Sequence, residues 1–161
     1  MAVVAASHSW SYAQLLDRSA SIAAALLRDS DDLNEDRIGF LVPAGFDYIS
    51  VHWGIWRAGG IAVPLSLSAT EKELEYALTD SQVSLVIIAN DLQAKVAALC
   101  HSRGLPLATV QEIGATSSGK PLPAVASERR AMILYTSGTT SKPKGVVSTP
   151  ACIRAQIESL I

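Results

Sequence analysis

The sequence has few of the residues that build metal centres and disulfide frameworks. It contains only two cysteines, Cys100 and Cys152, which lie far apart and outside any C-x-x-C spacing. Its three histidines, His8, His52 and His101, lie in separate segments and form no pair. The usual zinc motifs and a disulfide scaffold are therefore excluded. We expect both thiols to be packing or surface residues, and we assign the histidines no chemistry.

Long apolar runs and an excess of positive charge are also missing. No stretch approaches the roughly 18 to 20 consecutive apolar residues that a membrane-spanning helix requires. Residues 1–8 include a short apolar run but no basic segment before it, unlike a secretory signal. The formal net charge of −2 leaves no basic stripe for a nucleic-acid backbone. We expect no membrane span and no nucleic-acid partner, with a cytoplasmic location or, alternatively, a mitochondrial or other organellar one.

The residues that are present are typical of a folded domain. Hydrophobic residues make up 49% of the chain and charged residues 17%, close to the averages for soluble globular domains. A chain of 161 residues is long enough to bury a single core. Composition therefore predicts one compact unit.

Strands and helices are predicted to alternate along the first hundred or so residues. Capping boxes, in which each of two side chains accepts from the other residue's backbone N–H, occur at Ser11 with Gln14 and at Thr70 with Glu73. They predict helices over 11–28 and from 70 to about Asp80. Apolar runs predict strands at 37–43, 61–64 and 85–89, and helical spacing predicts helices at 46–58 and 92–102. This order predicts an α/β fold with a doubly wound, mostly parallel sheet and flanking helices.

Other segments are predicted to be loops or packing residues. The acidic residues 29–36 are expected to form a solvated loop, because a calcium loop needs a central glycine that is absent. Residues 109–128 lose periodicity and predict a surface connection. Trp53 and Trp56 share one face of the second helix and are expected to pack in the core. Strands at 131–135 and 146–147 and a helix opened by Pro150 complete the prediction.

The polar loop between the last two predicted strands combines hydroxyl, glycine and lysine residues. They are Thr136, Ser137, Gly138, Thr139, Thr140, Lys142 and Lys144. Glycine lets the backbone approach an anion closely, and hydroxyls and amides supply donors for phosphate oxygens. The Gly-Lys-Ser/Thr ending of the Walker loop is absent. Residue types alone leave two interpretations open, a phosphate cradle and a flexible surface turn.

The order of residues from Tyr135 to Val146 closely resembles the signature loop of the adenylate-forming (AMP-dependent synthetase/ligase) superfamily. The segment from Trp53 to Leu65 is similar to that family's Ala-Gly-Gly-x-x-x-Pro-Leu segment, and the likeness continues at Asp80-Ser81-Gln82. It covers nearly the whole chain. Within the superfamily the chain most resembles malonyl-CoA synthetases and other acyl-CoA synthetases, on the residues that flank the loop and on 74–76.

This resemblance implies an ATP-dependent acid–CoA ligase. In that family a carboxylate attacks the α-phosphate of ATP, pyrophosphate leaves, and coenzyme A takes the acyl group from the acyl-AMP, with Mg²⁺ assisting. The implied substrate is a carboxylic acid, with malonate or another short acid as the candidate. The implied nucleotide-binding residues are Thr136, Ser137, Gly138, Thr139, Thr140 and Lys144. Lys144 would stabilise charge on the phosphates as the catalytic residue, whereas Lys142 occupies a variable position and is expected to be solvated. No protein metal ligands are implied.

Two residues depart from the family pattern, and relatives of this kind are longer. Ser141 stands where glycine is usual, and Pro150 where many relatives have histidine. The resemblance makes residues 1–161 the N-terminal portion of an AMP-binding domain, without the remaining core and the C-terminal lid subdomain. Its expected partner is that C-terminal part, and alone it would hold part of the ATP site. Two alternatives are a domain that loads a carrier protein and a non-catalytic remnant.

Overall fold

The computed structural model describes residues 1–5, 8–115, 121–136 and 143–160. The helices found there are α1 Tyr12–Leu27, α2 Phe46–Arg57, α3 Glu71–Asp80, α4 Gln93–Ser102, α5 Val110–Gly114 and α6 Pro150–Glu158, with a 3₁₀ turn at Asn90–Leu92 before α4. The strands are β1 Val3–Val4, β2 Ser9–Trp10, β3 Arg37–Leu41, β4 Ile61–Pro64, β5 Leu85–Ile88, β6 Leu107–Thr109, β7 Met132–Thr136 and β8 Lys144–Ser148.

Six of the strands form one sheet in the order β6-β5-β3-β4-β7-β8. Neighbouring strands from β6 to β7 are parallel, and β8 runs antiparallel to β7 at the edge. The join between β4 and β7 is short, with one registered pair, Ala62 and Met132. The sheet therefore places the carboxyl ends of its parallel strands along one edge, where open α/β sheets bind ligands.

Both faces of the sheet are covered by helices, which confirms the doubly wound prediction. One core cluster joins β3 residues Ile38 and Phe40 to α1, α2 and α5. The other joins Leu41 of β3 and Val63 of β4 to α3 and α4. Successive side chains of a strand point to opposite faces, so a nearly continuous apolar strand such as β3 supplies both cores.

The predicted capping boxes are confirmed. In α1 the Ser11 N–H donates to Gln14 Oε1 at 2.8 Å, and the Gln14 N–H donates to Ser11 Oγ at 3.2 Å. Thr70 and Glu73 make the same exchange at the start of α3. The predicted helix stop at Gly59 is also confirmed, because Gly59 adopts a φ of +80°, which glycine accepts without strain. Local hydrogen bonding thus determines these helix ends.

The predicted surface connection over 109–128 is wrong at its amino end. Leu107–Thr109 pairs with β5, and a third capping box, Thr109 with Glu112, starts α5. Val110 and Ile113 of α5 are buried in the cluster with α1 and α2. The helix is too short for its apolar spacing to be recognised in the sequence, and the Thr109–Glu112 spacing was the one local signal for it. Residues 116–120 of that segment lie outside the described part of the chain.

Two further features were not predicted. Val3–Val4 and Ser9–Trp10 form a two-stranded antiparallel ribbon, with the Trp10 ring stacked on Phe46 at 4.9 Å between centroids. The acidic segment 29–36 is more than a solvated loop, because Asp32 and Glu35 pair with Arg129 and Arg130. In the described ranges, no helix has the length and apolarity needed to cross a membrane.

Candidate functional site

The two ends of the predicted phosphate loop lie side by side. Thr136 is the last residue of β7 and Lys144 the first of β8, and the two are cross-strand partners. Directly opposed residues in an antiparallel pair project their side chains from the same face of the hairpin. Both residues are exposed. The loop was predicted to include both residues. In the structure they are instead the last paired residues of β7 and β8, because the pairing of the two strands continues up to the loop.

The four predicted site residues between those ends are Ser137, Gly138, Thr139 and Thr140, which lie outside the described residues, as do Ser141 and Lys142. Their expected contacts with phosphate remain a prediction. The structure therefore brings together two of the six predicted site residues, Thr136 and Lys144.

A cleft of about 460 Å³ opens beside the loop, where β4 and β7 end. Its walls come from α2, the segment after β4, α3, β7 and Pro143. The lining residues are Tyr48, Pro64, Leu65, Ser66, Ser68, Ala69, Glu73, Leu74, Tyr76, Ala77, Leu134, Tyr135, Thr136 and Pro143. It mixes apolar side chains with hydroxyls and one carboxylate, which suits a ligand that is partly polar.

Tyr135 connects this wall to the loop. Its phenol donates to Asp80 Oδ2 at 2.7 Å and lies 3.3 Å from the Ala77 carbonyl oxygen. Burial, followed by the hydrogen bond to the Asp80 carboxylate, raises the pKa of Tyr135 above its usual range. The phenol consequently stays protonated and keeps its role as donor.

Gly145, the cross-strand partner of Tyr135, leaves room for that ring. A Cβ at Gly145 would lie 3.0 Å from Ile133 Cγ2 and 3.4 Å from Tyr135 Cζ. The first distance is closer than carbon atoms normally pack. A larger residue at position 145 would therefore require Ile133 to shift by a few tenths of an ångström, and no unusual backbone angle is involved.

Sequence reasoning missed the part that Asp80 plays. Asp80 was noted only as a point of family likeness at a helix end, and its contact with Tyr135 spans 55 positions. One local signal was available: Asp80 ends α3, where the helix dipole disfavours a negative charge. An acid in that position needs a partner from elsewhere in the fold.

A second cleft of about 600 Å³ lies at the same edge of the sheet, beyond β5 and β6. Arg18 crosses it, with Nη1 donating to the Gly114 carbonyl at 2.8 Å and Nη2 to the Val110 carbonyl at 3.3 Å. The guanidinium is thereby used to hold α5 against α1. This cleft was not predicted, and Arg18 serves packing there.

The sequence is similar to known ligases over nearly its whole length. It matches the AMP-binding enzyme family over residues 1–160. It is 36% identical to the mitochondrial malonate–CoA ligase of Mus musculus, over 93% of this chain and 27% of that protein. The mitochondrial malonate–CoA ligase of Homo sapiens is 34% identical, with 93% of this chain and 28% of that protein covered. The AMB antimetabolite synthetase AmbB of Pseudomonas aeruginosa is 37% identical over 91% of this chain and 11% of that protein.

The fold is also similar to those of solved structures. ATP-bound MatB from Rhodopseudomonas palustris superposes with a TM-score of 0.84 at 25% identity, covering 97% of this chain and 33% of that one. The McyG A-PCP structure with phenylalanyl-adenylate has a TM-score of 0.82 at 23% identity, covering 96% and 26%, and shares the fold. The chain thus spans about a third or less of the relatives it matches. Because the family match runs through the whole sheet and both ends of the loop, the chain belongs to the AMP-binding enzymes.

Proposed function

We propose that this chain is the N-terminal part of an ATP-dependent acid–CoA ligase, and that the loop it carries binds the pyrophosphate end of ATP. The proposed contacts are Thr136, Ser137, Gly138, Thr139, Thr140 and Lys144. In the full reaction a carboxylic acid becomes an acyl-AMP, and coenzyme A then accepts the acyl group. Residues 1–161 supply part of the ATP site, and the rest of the core and a lid subdomain supply the remainder.

The pairing of Thr136 with Lys144 carries this proposal. A hydroxyl and an ammonium group project from the same face of the hairpin, at the edge of the sheet where parallel strands end. Both residues are exposed. Lysine binds phosphate as a point charge, and the hydroxyl adds a directed donor. The chemistry of these two side chains therefore suits a polyphosphate, and this supports the proposal in addition to the family resemblance.

The loop acts on the first step of the reaction. When the acid attacks the α-phosphate, negative charge accumulates on the departing pyrophosphate. The ammonium group of Lys144 stabilises that negative charge, and the hydroxyl of Thr136 orients a phosphate oxygen. Donors fixed in position before the reaction stabilise developing charge without reorganising, and removal of one costs about 3 kcal/mol of transition-state stabilisation.

Mg²⁺ is expected to accompany ATP, with most of its ligands supplied by phosphates and water. In the part of the chain that the structure describes, no three His, Cys, Asp or Glu side chains lie together to hold a metal ion.

Malonate is the proposed acid, because malonate–CoA ligases of two mammals are 34% and 36% identical to this chain. The second candidate is an adenylation domain that loads a carrier protein. It is supported by the 37% identity to the synthetase AmbB and by the fold shared with the McyG A-PCP protein. The two candidates use the same loop and differ in the thiol that accepts the acyl group.

Binding of pyrophosphate to the purified chain tests the role of the loop. Isothermal titration calorimetry with pyrophosphate and Mg²⁺ is expected to give saturable binding. Lys144→Ala should weaken it about tenfold or more, as expected for a lost hydrogen bond to a charged group. Lys142→Ala removes the same charge from the neighbouring variable position and should change affinity less than about twofold. Equal losses of affinity in the two variants would contradict the phosphate-binding role assigned to Lys144.

Catalysis tests the wider proposal. The chain alone should not release pyrophosphate from ATP with malonate present. A chimera in which residues 1–160 replace the matching third of MatB should make malonyl-CoA, and Lys144→Ala in that chimera should lower kcat. The accepting thiol is tested in the full-length protein, where transfer to a carrier-protein thiol and not to coenzyme A would favour the second candidate. A folded chimera without adenylation activity would contradict both.

A further inference from the structure

Asp80 ends α3 in a position that helix physics does not favour. The carbonyl groups at a helix C-terminus carry partial negative charge, so an acidic residue there is destabilising. The last turn of α3 contains no basic residue to offset it. Asp80 accepts instead from the Tyr135 phenol at 2.7 Å. A residue that opposes its own helix and contacts a distant strand is a candidate for a functional role.

The Tyr135 ring is held at several points. Its hydroxyl donates to Asp80 and lies near the Ala77 carbonyl, and its ring meets Tyr76 edge-on at 6.2 Å between centroids. One side of the ring lies over Gly145, and its Cζ and Cε1 atoms are within 3.5 Å of the position that a Cβ at Gly145 would occupy. The ring is thus fixed between α3 and the backbone of β8.

This contact lies one residue from the proposed phosphate ligands. The pair Tyr135 and Gly145 is followed directly by the pair Thr136 and Lys144. The preceding pair on the other face, Leu134 and Val146, is 41% and 49% exposed and adds little packing. In the described chain β8 has β7 as its one neighbour, and a hairpin end of this kind frays readily. Among the described residues, the tyrosine ring therefore ties the loop end of the hairpin to α3.

We propose that Asp80 and Tyr135 are positioning residues for the phosphate loop, with Gly145 as the surface on which the tyrosine ring rests. The hydrogen bond to Asp80 orients the ring, the ring holds β8 against β7, and this sets the spacing of Thr136 and Lys144. This inference rests on the proposed function, because the spacing of Thr136 and Lys144 matters only if the two residues bind the same ligand.

The test compares variants that keep or remove one feature each. Tyr135→Phe keeps the ring and removes the hydroxyl. Asp80→Ala removes the acceptor, whereas Asp80→Asn removes the charge and keeps an oxygen acceptor. Tyr12→Phe is the matched control, because it removes a phenol hydroxyl from a side chain that is 59% exposed on α1. Hydrogen exchange of amides 136–145, affinity for pyrophosphate with Mg²⁺, and the midpoint of urea unfolding are measured for each.

Tyr135→Phe and Asp80→Ala should speed exchange in 136–145 about tenfold and weaken pyrophosphate binding about three- to tenfold, as expected for one lost hydrogen bond. The unfolding midpoint should move little. Asp80→Asn and Tyr12→Phe should resemble the unmodified chain in exchange and affinity. Asp80→Asn should also raise the unfolding midpoint slightly, because it removes a charge that the dipole of α3 disfavours. The double variant should be no worse than either single one, because both remove the same bond.

Two results would overturn the inference. One is unchanged exchange and affinity in Tyr135→Phe and Asp80→Ala. The other is an Asp80→Asn variant as impaired as Asp80→Ala, which would assign the effect to charge. If the unmodified chain binds no pyrophosphate, the proposed function of the loop is contradicted, and the exchange data still decide whether Asp80 and Tyr135 hold the loop ends.

Discussion

Arg129 holds Asp32 through two hydrogen bonds that span 97 positions of the chain. Nη1 donates to Oδ2 at 2.6 Å and Nη2 to Oδ1 at 3.0 Å, and Nη2 also donates to the Gly59 carbonyl at 2.7 Å. Beside it, Arg130 Nε donates to Glu35 Oε2 at 2.9 Å. β7 has a single registered pair with β4. These two arginines therefore help to attach β7, and with it the loop, to the rest of the sheet.

Asp32→Asn should lower the free energy of unfolding by about 1 to 3 kcal/mol, because it leaves the partly buried Arg129 without its charged partner. The hydrogen bond from Arg129 holds the pKa of Asp32 below its usual range. Since the folded pKa is depressed, this stabilisation is present above the unfolded pKa near 3.8 and is lost as pH falls through the folded value. Urea unfolding measures it, with Asp17→Asn on the exposed face of α1 as control. An equal loss in that control would contradict the assignment.

His52 should make the fold less stable in mild acid. Its ring packs against Trp56 at 4.3 Å between centroids, and the described residues offer its buried Nε2 no hydrogen-bond partner. Burial lowers the pKa of His52 from 6.5 to about 4. Between these values the unfolded chain binds a proton that the folded chain does not, so stability falls as pH falls from 6.5 towards 4. The full effect is about 3 kcal/mol.

The measurement is the free energy of unfolding between pH 5 and 7.5, above the range in which the contribution of Asp32 changes with pH. His52→Gln should remove most of the slope over that interval. His101→Gln, at an exposed position of α4, should leave it unchanged. A slope that persists in His52→Gln would show that another group is responsible.

Gly54→Ala should destabilise the fold by about 1 to 3 kcal/mol through overpacking. Gly54 lies where α2 crosses α1, and a Cβ there would come within 2.5 Å of Ile22 Cγ2. The higher helix propensity of alanine does not offset such a contact. Thermal unfolding of the single variant and of Gly54→Ala with Ile22→Ala checks the cause. Because truncation of Ile22 relieves the contact, the double variant should lose less stability than the sum of the single losses.

The two thiols should react at very different rates. Cys152 is exposed near the start of α6, where its hydrogen bonding with Thr149 lowers the pKa of its thiol. Cys100 is buried, and burial raises the pKa of its thiol. Since the thiolate is the reactive form, a disulfide reagent should titrate one thiol in the folded chain and two in urea. Cys152→Ser should abolish the fast phase, and a fast phase that survives would show that Cys100 is accessible.

Local interactions were the part of the fold that could be predicted. The capping boxes at Ser11 and Thr70 and the glycine stop at Gly59 depend on residues close in sequence, and all three are confirmed. The box at Thr109 has the same spacing and was not recognised. Its helix is five residues long, and its place in the core depends on α1, which lies about ninety positions earlier in the chain.

The candidate site, like the fold, could be predicted from the sequence only in part. The order of residues from Tyr135 to Val146 was enough to identify the loop as a family feature, and the match over residues 1–160 confirms the family. The roles of the individual loop residues stay predictions. The pairing of Thr136 with Lys144 and the contact of Tyr135 with Asp80 became visible only in the folded chain.

The sequence by itself determined the family, the fold class and most helix ends, because motif order, apolar periodicity and capping are written in neighbouring residues. Only the tertiary structure decided which distant groups meet. The ties from Arg129 to Asp32 and from Tyr135 to Asp80 join positions 97 and 55 apart. Contacts of that span depend on how strands and helices pack together, and no local pattern encodes them.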